Sequence, residues 1–246
     1  MSTLTEKVAL VTGGSRGIGA AIAKRLAKDG ASVAITYAKD DKAASAVVKA
    51  IERDGGKAVA IQADAADVEA VKSAVEKTVT TFGRLDVLVN SAGTAIPKPF
   101  EEATQEEMDR VININLRGVL ATTQAALKHM KSGGRVIMIG SAVGERAVAP
   151  GLVPYAATKG AVKMFTQALS REVGSRGITV NNVQPGPIDT DLNPASGDWA
   201  VPQKAATALD RYGHVEEIAA MAAFLAGSES SYVTGANLTV DGGMNA

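Results

Sequence analysis

The sequence predicts one doubly wound α/β domain, a seven-stranded parallel sheet with helices on both faces. Three observations lead to that expectation. Short runs rich in Val and Ile recur seven times, and longer segments with helical spacing lie between them. The runs are apolar on both faces, as strands covered from both sides must be. No linker-like, low-complexity or repeated stretch interrupts the 246 residues, so a single domain over 1–246 accounts for the chain.

The elements follow in order. The first strand, KVALVTG at 7–13, hands over to GAAIAKRLAKDG, a small-residue helix closing on Gly30. SVAITYA (32–38) precedes DKAASAVVKAIERDGG, which closes on Gly55, and KAVAIQAD (57–64) precedes DVEAVKSAVEKTVTTFG, which closes on Gly83. LDVLVNSAG (85–93) leads to a long helical segment at 104–132, opened by a capping box at Thr104–Glu107. GRVIMIGSA (134–142) is followed by PYAATKGAVKMFTQALSREVGSRG, which ends on Gly177. TVNNVQPG (179–186) is the sixth strand, HVEEIAAMAAFLAG the last long helix and NLTVDGG (237–243) the seventh strand. The rhythm breaks only at 187–213, a long Pro- and Gly-bearing segment after the sixth strand. Ligands of such sheets bind beyond the carboxyl ends of the strands, which makes 187–213 a candidate substrate lid.

Composition narrows the function classes. Hydrophobic residues make up 46% and charged residues 21%, which is normal for a full core. Lys and Arg number 26, as do Asp and Glu. A net charge of zero without a basic run implies neither nucleic acid nor an anionic membrane as partner. The absence of cysteine excludes disulfides and thiolate catalysis, and with only His129 and His214 no metal site is expected. The start, MSTLTEKVALV, lacks a signal-peptide pattern, and tracts such as IAAMAAFLAG at 218–227 are too short to cross a bilayer. A cytoplasmic location is the expectation.

Two local patterns bear on chemistry. TGGSRGIG (Thr12–Gly19) lies between the first strand and first helix and reads Gly13-x-x-x-Gly17-x-Gly19. Helix N-terminal N–H groups favour an anion there and glycines let the backbone approach it; a merely tight turn has the same local signature. In PYAATKG (Pro154–Gly160), Tyr155 and Lys159 stand one helical turn apart. An adjacent ammonium is expected to lower the phenol from its usual ~10 toward the range of a general acid/base, although an exposed surface pair shares the spacing. Ser141, at the end of VIMIGSA, can hydrogen-bond a carbonyl, and Asn115 in INLRG is a polar group within an apolar helix.

With these residues the chain resembles the short-chain dehydrogenase/reductase family along essentially its whole length. The matching motifs are Thr12-Gly13-x-x-x-Gly17-x-Gly19, NSAG at 90–93, Asn115, Ser141, Tyr155-x-x-x-Lys159 and Pro185-Gly186. NSAG departs slightly, with Ser91 where the second Asn of Asn-Asn-Ala-Gly is commoner. The resemblance implies a Rossmann-type fold and a catalytic set of Asn115, Ser141, Tyr155 and Lys159. In it Tyr155 exchanges a proton with the carbonyl oxygen and Ser141 orients and polarises that carbonyl. Lys159 holds the nicotinamide ribose and depresses the tyrosine, and Asn115 anchors a relay water. Gly13, Ser15, Arg16, Gly17, Ile18 and Gly19 would cradle the cofactor, with Asp64 and Ala65 at the adenine. Asn90, Ala92 and Gly93 would lie beside the adenosine ribose, and Pro185, Gly186, Ile188 and Thr190 beside the nicotinamide and its phosphate. The family also commonly forms homotetramers.

NADPH is expected over NADH. In dinucleotide folds an acidic residue after the second strand binds the ribose 2′-OH of NAD, whereas a basic residue accommodates the 2′-phosphate of NADP. That position reads Tyr37, followed by Ala38 and Lys39. Arg16 could reach a phosphate from the first turn and Lys39 from the other side, although a solvated surface charge would also explain Arg16. Asp40 and Asp41 would oppose a phosphate if the strand ended later. An ordinary strand-end or helix-capping role would equally explain Asp64.

Around the carbonyl the candidates are Ala95, Ile96, Val143, Leu152, Val153, Leu192 and Trp199, mostly small or apolar. Trp199 could cap a small-molecule substrate or anchor the segment on the protein itself. The chain resembles 3-oxoacyl-carrier-protein reductases and related carbonyl reductases, which implies reduction of a ketone or an acyl thioester. An NAD-dependent alcohol, sugar or steroid dehydrogenase would be favoured by an acidic residue at position 37. A catalytically silent nucleotide-sensing protein would be expected to lack part of the four-residue set.

Overall fold

The computed structural model describes residues 4–147 and 149–246. In chain order the elements are β1 (Val8–Val11), α1 (Gly17–Lys28), β2 (Ser32–Tyr37), α2 (Asp41–Arg53), β3 (Lys57–Gln62), α3 (Val68–Phe82) and β4 (Val87–Asn90). Then come α4 (Gln105–Ile112), α5 (Gly118–Leu127), β5 (Arg135–Ile139), α6 (Val153–Val173), β6 (Thr179–Pro185), α7 (Ala200–Ala205), α8 (Val215–Ala226) and β7 (Asn237–Val240). The strands form one parallel sheet in the order β3-β2-β1-β4-β5-β6-β7.

Strand alternation explains why both faces had to be apolar. Ala9 and Val11 enter one core with Val33, Ile35, Val89 and Val183, under Ile22 and Leu26 of α1 and Ile218 and Leu225 of α8. Leu10, between them, enters the other with Ala34, Leu88, Met138 and Val180, under Val75 of α3, Ala126 of α5 and Val162 of α6. The strand order reverses at β1, which pairs with β2 on one side and β4 on the other. A crevice opens at such a reversal, at the carboxyl ends of the strands.

The opposite, N-terminal edge of the sheet carries buried charge. Asp86 accepts from the Val8 amide at 3.0 Å and from Arg84 Nη2 at 2.7 Å, with Lys7 3.5 Å away. Arg135, 8% exposed, donates to the carbonyls of Gly133, Gly134 and Gly227.

Several boundaries differ from the sequence expectation. Strands drawn to 13, 64, 93, 142 and 243 leave the sheet at Val11, Gln62, Asn90, Ile139 and Val240, because their last residues turn out into loops. The segment 104–132 is not one helix: α4 and α5 are joined by a π-helical turn at Asn113–Arg117. Gly118 follows it, and a Cβ there would lie 2.1 Å from the Ala65 carbonyl oxygen. The segment 187–213 contains α7 and pairs its ends through Ile188 and Gly213. Among the described residues no helix is long and apolar enough to cross a membrane.

Candidate active site

The first turn is held by side chains on both sides. Thr12 Oγ1 accepts from the amides of Ser91 and Ala92 at 3.0 and 3.1 Å, which ties the turn to the loop after β4. Thr36 Oγ1 accepts from the Gly13 amide at 3.1 Å. Gly13 has φ +64°, and a Cβ there would stand 2.8 Å from the Ala92 Cα. At Gly19 it would stand 2.4 Å from the Gly13 carbonyl oxygen. Among the described residues no side chain caps the start of α1, so its first N–H groups are left for an anion. The cradle fits a dinucleotide pyrophosphate.

The other side of the crevice is built from three segments. β5 ends at Ile139, and Ser141 follows it, its Oγ accepting from the Val143 amide at 3.2 Å. Pro154 in the first turn opens α6, which carries Tyr155 and Lys159 on adjacent turns. The π turn places Asn115 in the interior, 1% exposed; such turns often mark functional sites. The Asn115 amide accepts from Thr94 N at 2.9 Å and donates to Thr94 O at 2.8 Å and to Thr158 Oγ1 at 3.2 Å. Asn115 therefore binds the loop after β4 to α6. A Cβ at Gly93 would lie 3.6 Å from Asn115 Oδ1 and 3.9 Å from Lys159 Nζ, which places the loop after β4 in van der Waals reach of both. Lys159 Nζ donates to the Ile139 carbonyl at 2.8 Å and lies 5.5 Å from the centre of the Tyr155 ring.

The electrostatics correct one expectation. Burial pushes the Tyr155 phenol above its usual value of 10, and the nearby Ser141 hydroxyl only opposes that rise. Burial also pulls Lys159 from 10.5 down to about 8. The ammonium does not lower the phenol as the helix spacing suggested. Desolvation prevails because the cation lies over the ring and is itself weakened by burial. Tyr155 is thus protonated at neutral pH, the form a proton donor needs.

The remaining sequence candidates are distributed as follows. Arg16 is exposed, with Nη1 3.9 Å from Asp191 Oδ2, and Gly17 faces the Thr190 side chain. Ser15 and Ile18 are half-buried in the turn, and Lys39 is exposed. β2 ends at Tyr37, whose hydroxyl donates to Asp41 Oδ1 at 2.9 Å, while Asp40 caps α2. Ala38 offers its carbonyl to Gln62. Asp64 Oδ1 accepts from the Ala66 amide at 3.0 Å in a turn after β3, whereas Asp67 caps α3. Asn90 is buried and donates to Thr123 Oγ1 at 3.0 Å. Pro185 ends β6, Gly186 packs on Asp241, and Ile188 is buried. Val143 and Leu152 are half-buried, whereas Leu192 and Trp199 are exposed on the segment after β6. His129 pairs with Glu76, and His214 opens α8 in a capping box with Glu217.

Thr36, Gly14 and Thr158 were not among the sequence candidates. A Cβ at Gly14 would collide with Ile35 at 2.6 Å. Thr158 had a signal, since it stands directly before Lys159 inside the Tyr-Lys motif. Thr36 had none, because its partner lies 23 residues away.

A family model described as enoyl-(acyl carrier protein) reductase matches residues 13–245. A short-chain dehydrogenase of Burkholderia cenocepacia J2315, solved in complex with NADP, is similar at 49% identity. That match covers 99% of this chain and 100% of that one, with a TM-score of 0.98. The cyclic-di-GMP-binding biofilm dispersal mediator protein of Escherichia coli K12 is 43% identical over 246 residues, covering 100% of both chains. Elsinochrome reductase 1 of Elsinoe fawcettii is 39% identical over 254 residues, covering 98% of this chain and 95% of that one.

Proposed function

The chain belongs to the short-chain dehydrogenase/reductase family, and on that premise we propose that it reduces a ketone or a 3-oxoacyl thioester to the alcohol with NADPH. The observation that carries this reading is the meeting of Ser141 and a protonated Tyr155 over Lys159 at the carboxyl edge of the sheet. The solved Burkholderia relative holds NADP, and the glycine turn offers the same kind of phosphate cradle. When bound, the nicotinamide supplies the hydride taken up at the carbonyl carbon. Tyr155 gives its proton to the carbonyl oxygen, and the Ser141 hydroxyl donates a hydrogen bond to that oxygen as charge develops on it. Lys159, whose amine is buried beside the Tyr155 ring, would hold the ribose hydroxyls of the bound cofactor. The Asn115 amide is occupied by Thr94 and Thr158. The segment 187–213 closes over the substrate, with Leu192 and Trp199 turning inward.

Paired titrations with NADPH and NADH test the cofactor, followed by oxidation of each with an acetoacetyl thioester and a simple ketoester. NADPH should bind at least tenfold more tightly. Arg16→Ala should remove about tenfold of NADPH affinity, the weight of one charge-assisted hydrogen bond, and leave NADH unchanged. Preference for NADH would make Arg16 and Lys39 bystanders and favour the oxidative NAD-dependent reading. The name of the E. coli relative favours a second reading, recognition of a nucleotide signal; titration with cyclic di-GMP checks it. We further propose a homotetramer, for which exposed Ile112, Leu120 and Met164 of α4, α5 and α6 supply apolar surface. Light scattering that reports a monomer would end that proposal.

A further inference from the structure

Ser141 opens a short loop whose regular structure is one 3-10 turn, Ala142–Gly144. A catalytic hydroxyl on such an element is only as well placed as the attachments of the loop. One attachment is steric: a Cβ at Gly144 would lie 2.9 Å from the Lys159 carbonyl carbon and oxygen, so the loop rests directly on α6. A second is ionic. Glu145 pairs with Lys163, one turn beyond Lys159 in the series Tyr155, Lys159, Lys163. Glu145 is exposed and Lys163 half-buried, so solvent limits the strength of the pair, and it acts together with the other attachments of the loop. Lys163 holds the Glu145 carboxyl below the usual carboxylate range, and Gln184 adds to this. Gln184 is fully buried on β6, yet neither of its amide atoms makes a well-formed hydrogen bond among the described residues. Its contribution is therefore that of a nearby dipole. On another side the C-terminal segment holds the same loop: Asn245 Nδ2 donates to the Ala142 carbonyl at 2.9 Å, and Arg146 Nη2 to the Met244 carbonyl at 3.0 Å.

We propose that Glu145 and Lys163 are positioning residues whose ion pair latches the Ser141 loop to the helix bearing Tyr155 and Lys159, and so sets where the Ser141 hydroxyl stands relative to Tyr155. The inference rests on the reductase reading for its kinetic consequence, but not for its geometric one. Ser141 and Lys159 are the polar groups placed at Tyr155, and only Ser141 is carried by the latched loop. Opening the latch should therefore weaken the contact that opposes the rise of the phenol.

The test uses Glu145→Ala, its isosteric counterpart Glu145→Gln, and the exchange variant Glu145→Lys with Lys163→Glu. Three quantities are measured: kcat with a ketoester, NADPH affinity, and ionisation of Tyr155 from phenolate absorbance. For the last, each protein is compared with its own Tyr155→Phe form. Both single variants should lose five- to twentyfold in kcat with NADPH affinity within twofold, and their Tyr155 should ionise at higher pH. The exchange variant should recover at least half of the lost kcat and reverse most of the ionisation shift. Unchanged Tyr155 ionisation in Glu145→Gln would overturn the proposal, as would an exchange variant that melts normally and recovers nothing. If the parent protein reduces no carbonyl, the reductase reading fails. The ionisation shift then still decides the latch.

Discussion

Tyr155→Phe is expected to lower turnover by about 10³-fold while leaving NADPH affinity within twofold. General acid catalysis contributes roughly 10²–10⁴ in rate, and this substitution removes only the hydroxyl. The ring stays, and with it the surface over which Lys159 Nζ sits at 5.5 Å. Lys159 keeps its bond to the Ile139 carbonyl, so the ribose-holding amine is not displaced. Steady-state rates with a ketoester and a fluorescence titration with NADPH give the two numbers. Turnover that fell less than tenfold would remove Tyr155 from the role of proton donor.

Lys159→Met is expected to abolish turnover and yet raise the melting temperature. Burial takes this amine from 10.5 to about 8, which corresponds to about 3 kcal/mol against the charged form at neutral pH. The lost hydrogen bond to Ile139 returns about 1 kcal/mol of that. A net gain of about 2 kcal/mol raises the midpoint by roughly 4–8 °C in a chain of this length. The sign can be checked against pH. Between about pH 8 and 10.5 the unfolded chain binds the proton that the folded protein has released, so the parent gains stability as pH rises. The advantage of Lys159→Met should be full below pH 8 and shrink above it. An advantage independent of pH would mean that packing, not charge, separates the two proteins.

The fold was legible because each strand serves two cores at once: Leu10 and Val11 face opposite helices, which forces the unbroken apolar runs. The site was legible as an ordered set of motifs, from Gly13 to Pro185-Gly186. What local pattern could not show was where each strand stops. Residues 12–13, 91–93 and 140–142 are small and uncharged, with no proline to mark a stop, yet they make the loops at the carboxyl edge. Nor could the spacing of Tyr155 and Lys159 reveal that burial outweighs their attraction. The break at Asn113–Arg117 was hidden because Ile, Leu and Asn continue the helical periodicity across it. The pairing of Glu145 with Lys163 spans 18 residues and two elements, beyond the reach of any local rule.

The buried charges around Asp86 and Arg135 sit at the starts of β1, β4 and β5, while the proposed chemistry sits beyond the strand ends. A four-residue strand is about 13 Å long, and effects of substitutions more than ~7–10 Å apart without shared partners are close to additive. The two edges can therefore drift independently. A lineage could exchange Asp86, Arg84 and Lys7 to suit a new growth temperature without retuning selectivity, or remodel 187–213 for a new substrate without reopening the question of folding. That separability would let many relatives of divergent specificity share one backbone.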